Sequence, residues 1–283
     1  MIRLIASDMD GTLLNNQGQL SEETVRQIKE IQQKGVIFAI CTGRIFNSAK
    51  KELEKNGIQC SYLCNSGAQI IDENGEVIRS IPLERETAEW VITMFESWGV
   101  SMDIQTESQF FVTWTAMDMV RKAWHFWKQG RLLPFLKRNF SLRKQKDSPI
   151  HLKKASDVFQ YSDQIFKISS GGISPEKVEK MKRYFRHSGK VTAVSSFPDN
   201  VEVTDSRAQK GASLAWYAKN LGIPMSEVMA VGDSDNDLSM IEMDFGYTVA
   251  MGNAMDCIKK AAKYETLTNE EDGVAAFIKK YVD

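Results

Sequence analysis

The 283-residue sequence contains no run of about 18 or more apolar residues, so no ordinary membrane-spanning helix is encoded. It has no Cys-X-X-Cys pair. Its four cysteines stand at positions 41, 60, 64 and 257, which excludes a zinc ribbon and a thioredoxin-type redox motif. The three histidines, His125, His151 and His187, show no metal-binding spacing and are taken as structural or surface residues. Excess charge is also missing: 36 Lys and Arg face 37 Asp and Glu, a formal net charge of -1. That balance gives no global attraction for nucleic acid or an anionic membrane. The first residues, MIRLIASDMDGTLLN, carry two aspartates where a secretory signal needs an apolar core. A cytoplasmic protein with buried, reduced thiols is therefore expected.

What is present suits a globular chain, with 42% hydrophobic and 26% charged residues and enough length for two cores. In the first 80 residues or so, and again after about 205, short apolar runs ending in polar residues alternate with helix-period segments. Residues 2–6, 36–41 and 228–231 predict buried strands, with further strands ending at Cys64 and spanning 247–250. Helices are predicted over 21–34, after the second strand to about Asn56 and Gly57, around Leu214–Leu221 and over the terminal Val274–Tyr281. This is the pattern of an α/β fold built on a doubly wound parallel sheet. Between Leu83 and Thr204 the texture changes to two helix-strand-strand units, Val91–Trp114 and Val178–Thr204. The expected division is a core of residues 1–82 and 205–283 and an inserted α+β cap of residues 83–204.

Three strand ends carry the chemistry. The first empties into Asp8-Met9-Asp10-Gly11-Thr12-Leu13, with two carboxylates at the edge where open parallel sheets bind ligands. Alone this is also a good turn rich in Asp and Gly. The second empties into Thr42-Gly43-Arg44, where a hydroxyl and main-chain N–H groups could hold a phosphate oxygen. The third empties into Gly232-Asp233-Ser234-Asp235-Asn236-Asp237, three acids and an Asn in five residues. Such acids repel unless a cation or water lies between them, and their spacing is not that of a calcium-binding EF-hand loop. Lys210 stands where the chain re-enters the core, beside these acids, and a phosphate contact fits it better than a surface ion pair.

DMDGTL, TGR, Asn65-Ser66-Gly67-Ala68, the lysine and GDSDND, in that order over nearly the whole chain, resemble the haloacid dehalogenase superfamily, and within it the Cof-type, class IIB hydrolases. The resemblance implies a Mg2+-dependent phosphatase of small phosphorylated metabolites with a Rossmann-like core and a specificity-setting cap. It implies that Asp8 is the nucleophile forming an aspartyl-phosphate and that Asp10 is the general acid and base. Mg2+ would be held by Asp8, the main-chain carbonyl of Asp10 and Asp233. The phosphoryl group would be held by the N–H groups of Met9 and Gly43, the Thr42 hydroxyl, Lys210 and the Asn236 amide. Asp237 would orient Lys210 or a metal-bound water, or serve as a helix-start acid. Ser66 stands where many relatives have a second Asn, and residues 205–209 depart from the commonest pattern, which limits any transfer of substrate preference.

Two other functions compete. A sugar phosphomutase shares the core motifs but needs a second phosphate site, which no motif marks. A phosphate-sensing or nucleic-acid-binding module is suggested by nine Lys and Arg between Met117 and Lys146, interleaved with Trp124, Phe126, Trp127, Phe135 and Phe140. The amphipathic reading is preferred, with Trp124 and Trp127 packed inward and Arg121, Lys122 and Lys128 facing water. No nucleic-acid or membrane partner is expected beyond the phosphorylated substrate.

Overall fold

The computed structural model describes residues 1–107, 109–128, 149–162 and 164–282. The chain forms two compact units, Met1–Ile81 with Arg207–Asp283, and Pro82–Ser206. Each has its own apolar core.

The first unit is built on strands β1 (Leu4–Ser7), β2 (Ile37–Cys41), β3 (Ser61–Cys64), β4 (Gln69–Ile71) and β5 (Val77–Ser80). The second contributes β6 (Asp103–Thr106), β7 (Phe110–Val112), β8 (Ile150–His151), β9 (Ile165–Gly171), β10 (Val191–Val194) and β11 (Asn200–Asp205). The chain then returns to the first unit with β12 (Val228–Gly232), β13 (Tyr247–Ala250) and β14 (Tyr264–Glu265).

The first sheet runs β14-β13-β12-β1-β2-β3-β4-β5, parallel from β14 to β3. Its central strands LIAS and VMAVG are buried at every residue, because a parallel sheet covered on both faces needs apolar side chains pointing both ways. The register aligns Ser7 with Ile40 of β2 and Val231 of β12. Three chain segments therefore leave the same sheet edge side by side. The helix Glu22–Gln33 covers this sheet with Thr24, Gln27, Ile28 and Ile31, one face at helical spacing. Ser21 starts it by accepting the Thr24 N–H at 3.0 Å.

The sheet is not parallel throughout: β4 and β5 form an antiparallel hairpin at its edge. Its turn is set by Asp72, whose Oδ1 accepts the N–H groups of Asn74 and Glu76 at 2.9 and 2.8 Å. Strands of three and four residues with Val77 and Ile78 exposed leave too little periodicity to be read from sequence.

In the second unit the sheet order is β10-β11-β9-β6-β7-β8. Helices Arg85–Ser97 and Pro175–Arg186 contribute Val91, Phe95, Met181 and Phe185 to a core shared with Ile104, Ile168 and Val203. The rings of Phe95 and Phe185 lie 5.7 Å apart. The two expected helix-strand-strand units are joined by β9, a central strand that the sequence reading left out. Its run IFKISSG is interrupted by Lys167, which hides the apolar pattern. Lys167 is buried because Glu202 on β11 meets it at 2.9 Å, with side-chain exposures of 5% and 7%. Asn200 and Ser196 also donate to Glu202.

Trp124 and Trp127 correct another expectation. They lie in the helix Ala116–Lys128 but remain 58% and 57% exposed. The two indoles, three residues apart on one helix face, cover each other at 5.0 Å between centroids instead of packing inward. Phe135, Phe140 and the basic residues after Lys128 lie outside the described residues. No described helix is long and apolar enough to cross a membrane.

Removing one partner of a buried ion pair strands the other charge and costs about 3–5 kcal/mol, whereas replacing both by apolar groups is often neutral. Lys167→Met or Glu202→Leu alone should therefore sharply lower the second unit's unfolding midpoint in urea, and the double variant should recover most of the loss. Additive losses would contradict a coupled pair.

Candidate active site

Asp8 follows β1, and its N–H continues the parallel ladder by donating to the Val231 carbonyl at 3.0 Å. The ladder fixes where the carboxylate emerges: 4% exposed, at the sheet edge. Lys210, the first residue of the helix Lys210–Asn220, brings its Nζ to 2.6 Å from Asp8 Oδ1 and 2.6 Å from Asp237 Oδ1. Its side chain is fully buried. Asp237 uses its other oxygen to accept the N–H groups of Asp233 and Ser234 at 2.9 and 3.0 Å. Asp237 thus holds the Lys210 ammonium with one oxygen and two main-chain N–H groups with the other.

Asp233 leaves β12 beside these groups. Its Oδ1 accepts the Thr12 hydroxyl at 2.8 Å, a contact that sequence reasoning missed although Thr12 belongs to the DMDGTL motif. Gly11 lies against the same carboxylate with φ at +83°, and a Cβ there would stand 2.6 Å from Asp233 Oδ2. Only glycine fits both the backbone and the close approach.

At the end of β2 the Thr42 hydroxyl oxygen accepts the Arg44 N–H at 3.2 Å, which leaves its O–H as a donor. Gly43 follows it in the same loop. Met9 is fully buried in the loop after β1, with its carbonyl accepting the Leu14 N–H. Asn236 accepts the Ser234 hydroxyl at 2.9 Å, which orients its amide.

Asp10 stands apart from the carboxylate cluster. Its side chain is half exposed and meets Arg44 through both oxygens, Nε at 2.7 Å from Oδ2 and Nη2 against Oδ1. The TGR motif was singled out in the sequence, but this role of its arginine was not.

The Asn65-Ser66-Gly67 turn also has a physical place. Asn65 and Ser66 both adopt left-handed backbone, φ +52° and +60°, at a cost of about 1–3 kcal/mol each. The Asn65 N–H donates to Arg44 O, Ser66 N–H to Thr42 O, and Ser213 Oγ to Gly67 O. The turn ties the TGR loop to the helix that carries Lys210. Among the described residues, neither polar atom of the buried Asn65 amide has a hydrogen-bond partner.

Electrostatically the site is under-compensated. Burial pushes Asp8 well above the usual carboxylate range, Lys210 opposes this, and Asp237 and Asp233 add to it. Burial and then Asp237 push Asp233 up to about 7, against the Thr12 bond and Lys210. Lys210 loses from burial but gains more from Asp237 and Asp8, so it stays charged. The nearby Cys41 thiol is pushed up to about 12 by burial and is neutral. Among the described residues, Asp8, Asp233 and Asp237 are the group whose oxygens, all within 4.8 Å of one another, could hold a metal ion. Three carboxylates against one ammonium leave an excess of negative charge that suits a divalent cation.

A family model described as haloacid dehalogenase-like hydrolase matches residues 5–278. Phosphatase YwpJ of Bacillus subtilis (strain 168) is 30% identical over 98% of this chain and 99% of its own length. The 5-amino-6-(5-phospho-D-ribitylamino)uracil phosphatase YcsE of the same organism is 30% identical over 99% of this chain and 96% of its own. A solved haloacid dehalogenase-like hydrolase from B. subtilis superposes with a TM-score of 0.88 at 30% identity, covering 99% of this chain and all of that one. The HAD subclass IIB sugar phosphatase BT4131 shares the fold, with a TM-score of 0.76 at 22% identity over 99% and 98% of the two chains.

A carboxylate with a raised folded pKa holds a proton that the unfolded chain has released. Through Asp233 the metal-free protein should lose stability as pH rises from about 4 to about 7. A divalent cation favours the ionised form and offsets that loss. Its gain in unfolding temperature after chelator treatment should be larger at about pH 7.5 than at about pH 5; an equal gain would contradict the assignment of the cluster.

Proposed function

We propose that this chain, which belongs to the haloacid dehalogenase-like hydrolases, is a Mg2+-dependent phosphatase of small phosphorylated metabolites that works through an aspartyl-phosphate on Asp8. The observation that carries the reading is Asp8 itself, a buried carboxylate at a sheet edge with an ammonium 2.6 Å away. Its relatives named as phosphatases point the same way.

In the first step Asp8 attacks phosphorus, the bond to the ester oxygen breaks, and Asp10 gives its proton to the departing alkoxide. In the second, Asp10 takes a proton from water as that water attacks phosphorus. The bond to Asp8 breaks, inorganic phosphate leaves, and both carboxyl groups return to their starting states. Lys210, the Thr42 hydroxyl, the N–H groups of Met9 and Gly43 and the Asn236 amide surround the phosphoryl oxygens and offset their charge. Asp8, Asp233 and the main-chain carbonyl of Asp10 would hold Mg2+, which when bound adds positive charge where carboxylate and phosphate would otherwise repel. Asp237 has both oxygens engaged and serves as a positioning residue for Lys210.

The second unit is assigned the contacts that sort substrates. Cys41, Cys60 and Cys64 are buried and Cys257 is exposed, and all four are outside any disulfide, which fits a reducing cytoplasm. Because two relatives are named for 5-amino-6-(5-phospho-D-ribitylamino)uracil, that compound belongs in a substrate panel with sugar phosphates, nucleotides and cofactor phosphates.

Purified protein should release phosphate from p-nitrophenyl phosphate and from members of that panel only with Mg2+, and Asp8→Asn should abolish release in folded protein. Lys210→Ala should lose turnover with every substrate. Asp10→Asn should lose roughly 10²- to 10⁴-fold in kcat/KM with alkyl phosphates and less with p-nitrophenyl phosphate, whose leaving group needs little protonation. Chelator-insensitive turnover by Asp8→Asn would overturn the reading, and interconversion of sugar phosphates through a bisphosphate without phosphate release would replace it with a mutase.

A further inference from the structure

We infer that Arg44 is a positioning residue that sets the plane of the Asp10 carboxylate for proton transfer, an inference that rests on reading Asp10 as the acid and base. Arg44 Nε lies 2.7 Å from Asp10 Oδ2 while Nη2 meets Oδ1. A fork that engages both oxygens fixes the rotation of a carboxylate as well as its place. Lysine, a point charge, holds one oxygen at a time.

The constraint matters because of where Asp10 sits. Its side chain is half exposed, and it precedes Gly11, at φ +83°, on a loop whose neighbouring carboxylate, Asp8, is buried. The nucleophile is held by burial and by Lys210; an exposed carboxylate has no such enclosure. Arg44 is well placed to orient that carboxylate because its own backbone is held on both sides. Its N–H donates to Thr42 Oγ1 at 3.2 Å and its carbonyl accepts from Asn65 at 3.0 Å. The strained left-handed backbone of Asn65 and Ser66 is thus connected to the acid: the turn grips the TGR loop, the loop aims Arg44, and Arg44 aims Asp10.

A phosphate-binding arginine would act differently. It would raise KM for every phosphate ester alike, whereas an arginine that works through Asp10 affects kcat and does so according to leaving group.

The test compares Arg44→Ala, Arg44→Lys, Asp10→Asn and the Arg44→Ala/Asp10→Asn double variant with p-nitrophenyl phosphate and glycerol phosphate. Arg44→Ala should lower kcat/KM roughly 10- to 100-fold more for glycerol phosphate than for the aryl ester, with Arg44→Lys in between. In the Asp10→Asn background the arginine substitution should cost little more. The turnover of Arg44→Lys on the aryl ester reports that the site is folded. A fall in kcat/KM for both substrates without leaving-group bias, or losses that add in full to those of a biased Asp10→Asn, would overturn the inference alone. An unbiased Asp10→Asn would overturn the acid–base reading, and the arginine's role with it.

Discussion

The contact on which the candidate site depends is the ammonium of Lys210 set between Asp8 and Asp237. It is fully buried, with a carboxylate oxygen 2.6 Å away on each side. Removing these charges from water costs several kcal/mol per ion, and only mutual pairing makes their burial tolerable. The pairing is incomplete by design of the sequence: Asp233 adds a third carboxylate near the same lysine. A site with more negative charge than positive favours a cation. The raised positions of Asp8 and Asp233 express this imbalance.

The fold serves that arrangement by bringing distant segments to one edge. Parallel pairing of β1 with β2 and β12 delivers Asp8, Thr42 and Asp233 side by side, although 34 and 225 residues separate the second and third from the first. The helix bearing Lys210 is tied to the same edge through Ser213 and Gly67. Local strain accompanies this precision: two successive non-glycine residues in left-handed backbone and a buried Asn65 amide without a partner among the described residues persist because surrounding main-chain bonds hold them.

Much of this was legible in the sequence because each feature had a local signature. Continuous apolar runs announced β1, β2 and β12, and Ser21 with the spacing of Ile28 and Ile31 announced the first helix. The carboxylates were found because polar residues follow strand ends abruptly. What escaped was non-local or too short to be periodic. Strand β9 was hidden by Lys167, whose partner Glu202 lies 35 residues away. The β4–β5 hairpin is too brief for pattern. The Arg44–Asp10 pair spans 34 residues and joins two motifs whose separate meanings do not imply contact. The inward packing expected of Trp124 and Trp127 failed because helical spacing says which residues share a face, and not what that face meets.

The account turns on Asp8 as the group that takes the phosphoryl. Acid quenching during turnover of p-nitrophenyl phosphate with Mg2+, followed by peptide mass mapping, tests this directly. The account predicts a phosphoryl group on the peptide containing Asp8, absent in Asp8→Asn. An unlabelled enzyme trapped in the first turnover, or label on a peptide without Asp8, would contradict it.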